Sequence, residues 1–300
     1  MPYAIFMLAV TLLLLGGCGK RPEPLTHHTD CQAGSIYAMN RAECIAPAML
    51  LDMLEPYPVL FLGDHHKSEA LHAFAASLIE GLSRRGYRVH LANEWFSPAD
   101  NALLDTYASG AIDDGNFTKK VEWKTKAGYD FDLFAPIYHA VREGGGKLYG
   151  VNLSKAARKK ISDANLTGMD EAELAFYRSL DLNVSAHRQM VAPFMKHCTQ
   201  QSDTRNCEER MYRVQVAWDS KMGQESARLA QRVLTTPREK LIVFVGAMHL
   251  NRDLGVNMRF SRLSYLPHVT LLPALHTSMG YLHGTADFLY LLDPSPQPGE

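Results

Sequence analysis

The sequence predicts an α/β fold: a mostly parallel central sheet flanked by helices, with a helical insertion. Three observations carry this reading. Short apolar runs that end in a glycine or a polar residue recur at VLFLG (59–63), YRVHLANE (87–94), GGGKLYGVN (144–152) and EKLIVFVG (239–246). Such runs read as strands buried on both faces. Segments with helical spacing lie between them, and this alternation is the pattern of crossovers in a parallel sheet.

The elements follow in order. After VLFLG, residues 67–85 carry Leu71, Phe74, Ala75, Leu78 and Leu82 on one helical face, and Arg85-Gly86 stops the helix. Ser97-Pro98 supplies an N-cap and a proline at the first helical position, for a helix reaching Tyr107. A further helix runs from about Phe134 to Arg142, before the third strand. From Ser154 to Thr235 only helical periods are found, the last of them from Arg205 to Leu234. HVTLLPAL (268–275) and DFLYLLD (287–293) read as closing strands, and PSPQPGE (294–300) as a disordered tail. The body therefore divides into a first α/β part (46–153), a helical insertion (154–236) and a second α/β part (237–293).

The N-terminus has a different character. An apolar run from Ala4 to Leu15 precedes Gly16, Gly17 and Cys18. It is too short to span a bilayer comfortably and suits a signal peptide, residues 1–17. Leu15-Gly16-Gly17-Cys18 resembles a bacterial lipobox, with Cys18 as the lipidated residue. Gly19 in place of Asp after that cysteine points to an anchor in the outer membrane facing the periplasm. Residues 18–45 then read as a tether and N-terminal extension. In an exported chain the four remaining cysteines suggest local disulfides, Cys31–Cys44 and Cys198–Cys207. With 46% apolar residues and a net charge of -1, the chain has an ordinary globular composition and no electrostatic case for nucleic acid.

The chemistry is expected at the strand ends, because ligands of parallel α/β sheets bind beyond the carboxyl ends. VLFLGDHH (59–66) and IVFVGAMH (242–249) share an apolar run, a glycine and a histidine three residues later, His66 and His249. Asp64 lies inside the first stretch, and Glu94 ends the intervening strand. Asp64, His66, Glu94 and His249 converging on one edge suit general acid/base work, and His66, Glu94 and His249 could alternatively hold a divalent metal. His65 is expected to face solvent. EWKTKAGYDFDLFAPIYHAV (122–141) offers an aromatic wall with two phenols, Tyr129 and Tyr138. Gln215, Trp218, Asp219 and Met222 share one helix face, and the polar pair on it suggests that the face borders a polar cavity or caps a loop.

Taken together, Gly63-Asp64-His65-His66, Asn93-Glu94-Trp95-Phe96, GYDFDLFAPI (128–137), GVNLS (150–154), Gln215 to Asp219 with Met222, and Gly246-Ala247-Met248-His249-Leu250 resemble the ChaN-type haem-binding lipoproteins. These belong to a superfamily with the Tiki proteases and erythromycin esterases, and the resemblance covers about residues 55–265. It implies a lipid-anchored bacterial protein of haem and iron uptake, with an outer-membrane haem receptor as a partner. It also implies a tyrosine ligand to haem iron and two haems stacked between the subunits of a homodimer. The family often carries Glu at the position of Asp64 and Tyr at that of Phe134, which leaves Tyr129 or Tyr138 as the iron ligand. His66, Glu94, His249, Gln215 and Asp219 complete the expected haem site. The hydrolytic relatives imply the alternative: a metal-dependent or His/Glu-assisted amide or ester hydrolase built on Asp64, His66, Glu94 and His249.

Overall fold

The computed structural model describes residues 31–200, 203–276 and 284–293. The signal segment, the lipidation candidate Cys18 and the tail 294–300 lie outside the described residues. The strands are β1 (Ile36–Ala38), β2 (Glu43–Ile45), β3 (Val59–Asp64), β4 (Arg88–Asn93), β5 (Leu148–Gly150), β6 (Glu239–Gly246), β7 (His268–Leu275) and β8 (Phe288–Leu292). They form one 8-stranded sheet in the order β2-β1-β8-β7-β3-β6-β4-β5. From β8 across to β5 every pairing is parallel. β1 and β2 run antiparallel at one edge.

That edge differs from the reading of residues 18–45 as tether and extension. Residues 36–45 enter the sheet, with Ile36, Tyr37 and Ala38 buried against β8. Strands of three residues carry too little alternation to be seen in a sequence, and the β1–β8 pairing is long-range. The Cys31–Cys44 disulfide pins this hairpin, its Cα atoms 5.9 Å apart, and Cys198–Cys207 closes the second expected bridge at 5.6 Å.

The helices are α1 (Pro47–Met53), α2 (Glu69–Arg84), α3 (Asn101–Ala108), α4 (Asp114–Val121), α5 (Trp123–Lys126), α6 (Ala135–Glu143), α7 (Lys155–Ser162), α8 (Glu171–Arg178), α9 (Ser185–Val191), α10 (Thr204–Val233) and α11 (Val256–Ser261). The central strands are apolar on both faces, and alternate side chains feed two cores. Leu60, Leu62, Ile242 and Phe244 pack under α2 and α6. Val59, Phe61, Leu241, Val243 and Val245 pack under α10 and α11. This explains why the strands read as continuous apolar runs. Lys240 is buried at the amino end of β6, where its ammonium donates to the carbonyls of Leu54, Glu55 and Tyr57 at 3.0, 3.1 and 2.9 Å. It thereby ties β6 to the turn that leads into β3.

Between β5 and β6 the described residues form only helices. The carboxyl-terminal half of α10 belongs to the sheet core through Met222, Ala227 and Ala230. Its amino-terminal half carries Tyr212 and Val216 into a small separate cluster with Val191 and Met195. One long helix therefore joins the helical part to the sheet, and Asp219 sits where the two meet.

Candidate functional site

β3, β6 and β4 are neighbours, so their carboxyl ends open onto one edge. Asp64 pairs with Gly246 in the β3–β6 register. The two glycines of the matched stretches are thus offset by one residue, and the two histidines beyond them turn toward the same place. Asp64 is buried at the end of β3, His66 is half-buried beyond it, and His65 is exposed as expected. Glu94 and His249 are buried.

Glu94 lies between the two histidines. Its Oε1 is 3.6 Å from His66 Nε2, and its Oε2 is 3.7 Å from His249 Nε2. Each imidazole is held from behind by a carboxylate. His66 Nδ1 donates to Asp64 Oδ2 at 2.7 Å, and His249 Nδ1 donates to Asp219 Oδ1 at 2.5 Å. Each of those carboxylates touches a further buried histidine. His72 Nε2 is 2.7 Å from Asp64 Oδ1, and His187 Nε2 is 2.9 Å from Asp219 Oδ2. The result is a nearly symmetric row: His72, Asp64, His66, Glu94, His249, Asp219, His187. The aspartates fix which ring nitrogen faces inward, in the manner of carboxylate–histidine pairs at metal and acid–base sites.

Four elements converge on Asp219. Besides His249 and His187, Gln215 Nε2 donates to its Oδ1 at 3.3 Å and also lies 2.9 Å from His249 Nδ1. Arg259 Nη1 stands 4.0 Å from Oδ2 and its Nε donates to Ser220 at 3.1 Å. Gln215 and Asp219 of the stripe on α10 therefore border the row, while Met222 packs into the core.

The electrostatics follow from burial and pairing. Burial acts to raise the Asp219 carboxyl, but the charge of His249 and the contacts of His187 and His249 outweigh it and hold it down to about 2. Asp64 is lowered in the same way: burial opposes, and hydrogen bonds from His66 and His72 prevail. Burial also works against charge on His66 and His249, yet the adjoining carboxylates raise both imidazoles. Glu94 is the exception. Burial raises it, and the two histidines only partly offset that effect. Two ionised aspartates, two proton-holding imidazoles and a carboxyl biased toward its neutral form suit proton transfer, or ligand binding with proton release.

Gly246 forms the floor. A Cβ there would come 3.3 Å from His66 Cε1, 3.5 Å from Glu94 Oε1 and 3.5 Å from His249 Cδ2, so any larger side chain would press on all three groups. Gly246→Val is expected to cost about 1–3 kcal/mol in chemical denaturation by overpacking this point. It should also displace all three site side chains at once, seen as shifted imidazole resonances in NMR spectra.

The opening is on the His66 side, whose side chain is 30% exposed against 8% for Glu94 and 10% for His249. Trp95 and the half-buried Tyr129 pack on His66, with ring centroids at 4.7 and 5.2 Å. The Tyr129 hydroxyl makes no hydrogen bond among the described residues. Tyr138, the other phenol expected at the site, is 0% exposed. It packs against Phe96, Trp123 and Phe131, and burial, followed by the charge of Asp64, pushes its phenol well up. Its hydroxyl has no hydrogen-bond partner among the described residues. It belongs to the aromatic layer beneath the site and does not line the opening. Asn251 is half-buried and Arg252 exposed, outside the row of histidines and carboxylates.

The sequence reading missed His72 and His187. For His72 a signal exists: it shares the buried face of α2 with Leu71, Ala75 and Ile79, where an aliphatic residue is the ordinary choice. For His187 the short helix α9 offers no comparable pattern.

A family model described as haem-binding uptake, Tiki superfamily, ChaN matches residues 50–260. No curated protein matches the sequence. Among solved structures, ChaN of Campylobacter jejuni with cofacially bound haem superposes with a TM-score of 0.67 at 14% identity, covering 85% of this chain and 95% of that one. At that identity the likeness establishes the fold. The type III effector HopBA1 matches with a TM-score of 0.48 at 14% identity, over 83% and 94% of the two chains. An erythromycin esterase in its open conformation matches at 0.45 and 11%, over 79% and 76%. Both are too distant to bear on function.

Proposed function

Because the chain belongs to the ChaN family of haem-binding uptake proteins in the Tiki superfamily, we propose that it binds ferric haem at the mouth of the carboxyl-edge site. One observation carries this placement: of the two candidate phenols, Tyr129 packs on the part-exposed His66 and its hydroxyl makes no hydrogen bond among the described residues, while Tyr138 is fully buried. The residues fit the group. A phenolate is a hard anionic donor suited to ferric iron, Trp95 and His66 place aromatic rings beside it, and the buried Glu94 Oε1 just behind has no hydrogen-bond partner among the described residues. Bound haem would supply an iron centre. The chain's own part is to orient: Asp64 holds His66, Asp219, itself held by Gln215, holds His249, and burial biases the Glu94 carboxyl between them toward its neutral form.

In this reading the protein is lipidated at Cys18, faces the periplasm from the outer membrane and passes haem to or from an outer-membrane receptor. It pairs with a second copy across stacked haems. The lipobox-like N-terminus and the family support these parts. Titration of the purified protein with hemin is expected to give a saturable Soret shift at micromolar protein. The absence of one overturns the reading.

A second reading rests on its own observation. Asp64, His66 and Glu94 each present a ligand atom, all within 4.8 Å of one another, and His249 faces Glu94 from the other side. Such a group could hold a divalent cation that activates water for amide or ester hydrolysis. Elemental analysis of the purified protein tests it. Stoichiometric metal that is lost in both His66→Ala and His249→Ala supports this reading. Metal-free protein counts against the metal-dependent form, which leaves only His/Glu acid–base chemistry.

A further inference from the structure

A cavity of about 380 Å³ is lined by residues of α7, α8 and α10 and of the loops that follow β4 and β5. That is within the range of small-molecule sites. We propose that it binds a single-chain anionic amphiphile, such as a long-chain carboxylate.

The floor is aliphatic and aromatic. Ile161 and Met169 are 3% and 8% exposed, and Leu153 and Phe176 are half-buried beside them. The core here is thin, and the space between these side chains suits an acyl chain.

The rim is cationic. Lys160 pairs with Glu173 at 2.6 Å, while Lys221 and Arg228 share the single carboxylate of Glu225 at 2.7 and 2.8 Å. Three cations thus meet two carboxylates, and one positive charge is left at the mouth. The amino end of α7, at Ser154, opens onto the same cavity with no acidic residue in its first turn. Its dipole adds to the preference for an anion. The Arg228 side chain is 69% exposed and can turn to a carboxylate without unpacking anything.

This is not the haem mouth. None of the row from His72 to His187 lines the cavity, and its lining offers no imidazole, phenolate or thiolate for iron. The two places share a wall: Asn152 faces the cavity, and its Nδ2 donates to the carbonyl of Glu94 at 3.0 Å.

The test uses dansyl-undecanoate fluorescence on the purified protein, with dodecanoate and dodecanol as competitors. Saturable probe binding at micromolar concentration is expected. Dodecanoate should displace the probe at least about threefold better than dodecanol. Ala172→Trp, which places a ring in the cavity from the exposed side of α8, should abolish probe binding and leave the hemin response unchanged. Arg228→Gln should weaken dodecanoate by about threefold to fivefold and leave dodecanol unaffected. Absence of saturable binding, or wild-type binding in Ala172→Trp, overturns the site. Equal competition by dodecanol overturns its preference for an anion. Displacement of the probe by stoichiometric hemin would place both ligands in one site and overturn its separateness.

Discussion

Asp219→Ala is expected to be the most destabilising single change in the site, by about 3–5 kcal/mol in chemical denaturation near neutral pH. Asp219 is 0% exposed and is, among the described residues, the only carboxylate in direct contact with His249 Nδ1, with His187 and Arg259 also facing it. Its removal leaves the raised imidazole of His249 and the Arg259 guanidinium without their counter-charge. Asp219→Asn separates charge from shape, because it keeps an acceptor for His249 and loses the negative charge. It should cost less than the alanine change.

The pH dependence of this loss has a definite sign. The folded carboxyl is held down to about 2, below the ordinary 3.8. Its stabilising contribution is therefore complete above 3.8 and is lost as the pH falls through that value toward 2. His249 behaves oppositely. Its pKa is raised above 6.5, so its contribution is complete below 6.5 and declines as the pH rises through the folded value. The difference in stability between wild type and Asp219→Ala should thus be largest between these limits. A difference that stays flat from pH 3 to pH 9 would show that the pair is held by packing and not by charge.

Tyr129→Phe is expected to have the largest effect on haem, lowering ferric-haem affinity by on the order of a hundredfold, the upper range for disturbing a metal's ligand sphere. The ring and its packing on His66 are kept, so the fold should be unchanged. Tyr138→Phe is the contrast. It removes a buried hydroxyl that has no hydrogen-bond partner among the described residues. Stability should rise slightly or stay level, since an unsatisfied buried polar group is a cost, and haem affinity should be unchanged. A reversal of the two variants' effects on hemin titrations would place the ligand in the aromatic layer and require that layer to open.

Much of this architecture is legible in the sequence, and for identifiable reasons. β6 and β7 match the apolar runs at 239–246 and 268–275 residue for residue. Strands buried on both faces leave a continuous signal. α10 departs by one residue at each end from the expected Arg205–Leu234, because Asp203 caps it and its apolar spacing persists through many turns. The inner four of the site, Asp64, His66, Glu94 and His249, stand at the ends of such strands, and the strand-end rule finds them.

Other features depend on contacts between distant parts of the chain. β1 gains its place only by pairing with β8, which leaves no local trace. His72 and His187 matter because the fold brings them to Asp64 and Asp219, and spacing alone does not encode that. Tyr129 and Tyr138 are nine residues apart in one aromatic-rich segment. Only the turn at Gly128, with φ of +75°, and the start of α6 send one to the opening and the other to the core.

The central claim concerns where the iron sits and what binds it. Crystals of the hemin-loaded protein, measured at the iron absorption edge, locate the metal by its anomalous signal. The account predicts a peak within bonding distance of the Tyr129 hydroxyl, on the open side of His66. A peak bonded elsewhere, whether within the Glu94 row or in the α7–α8–α10 cavity, would contradict it.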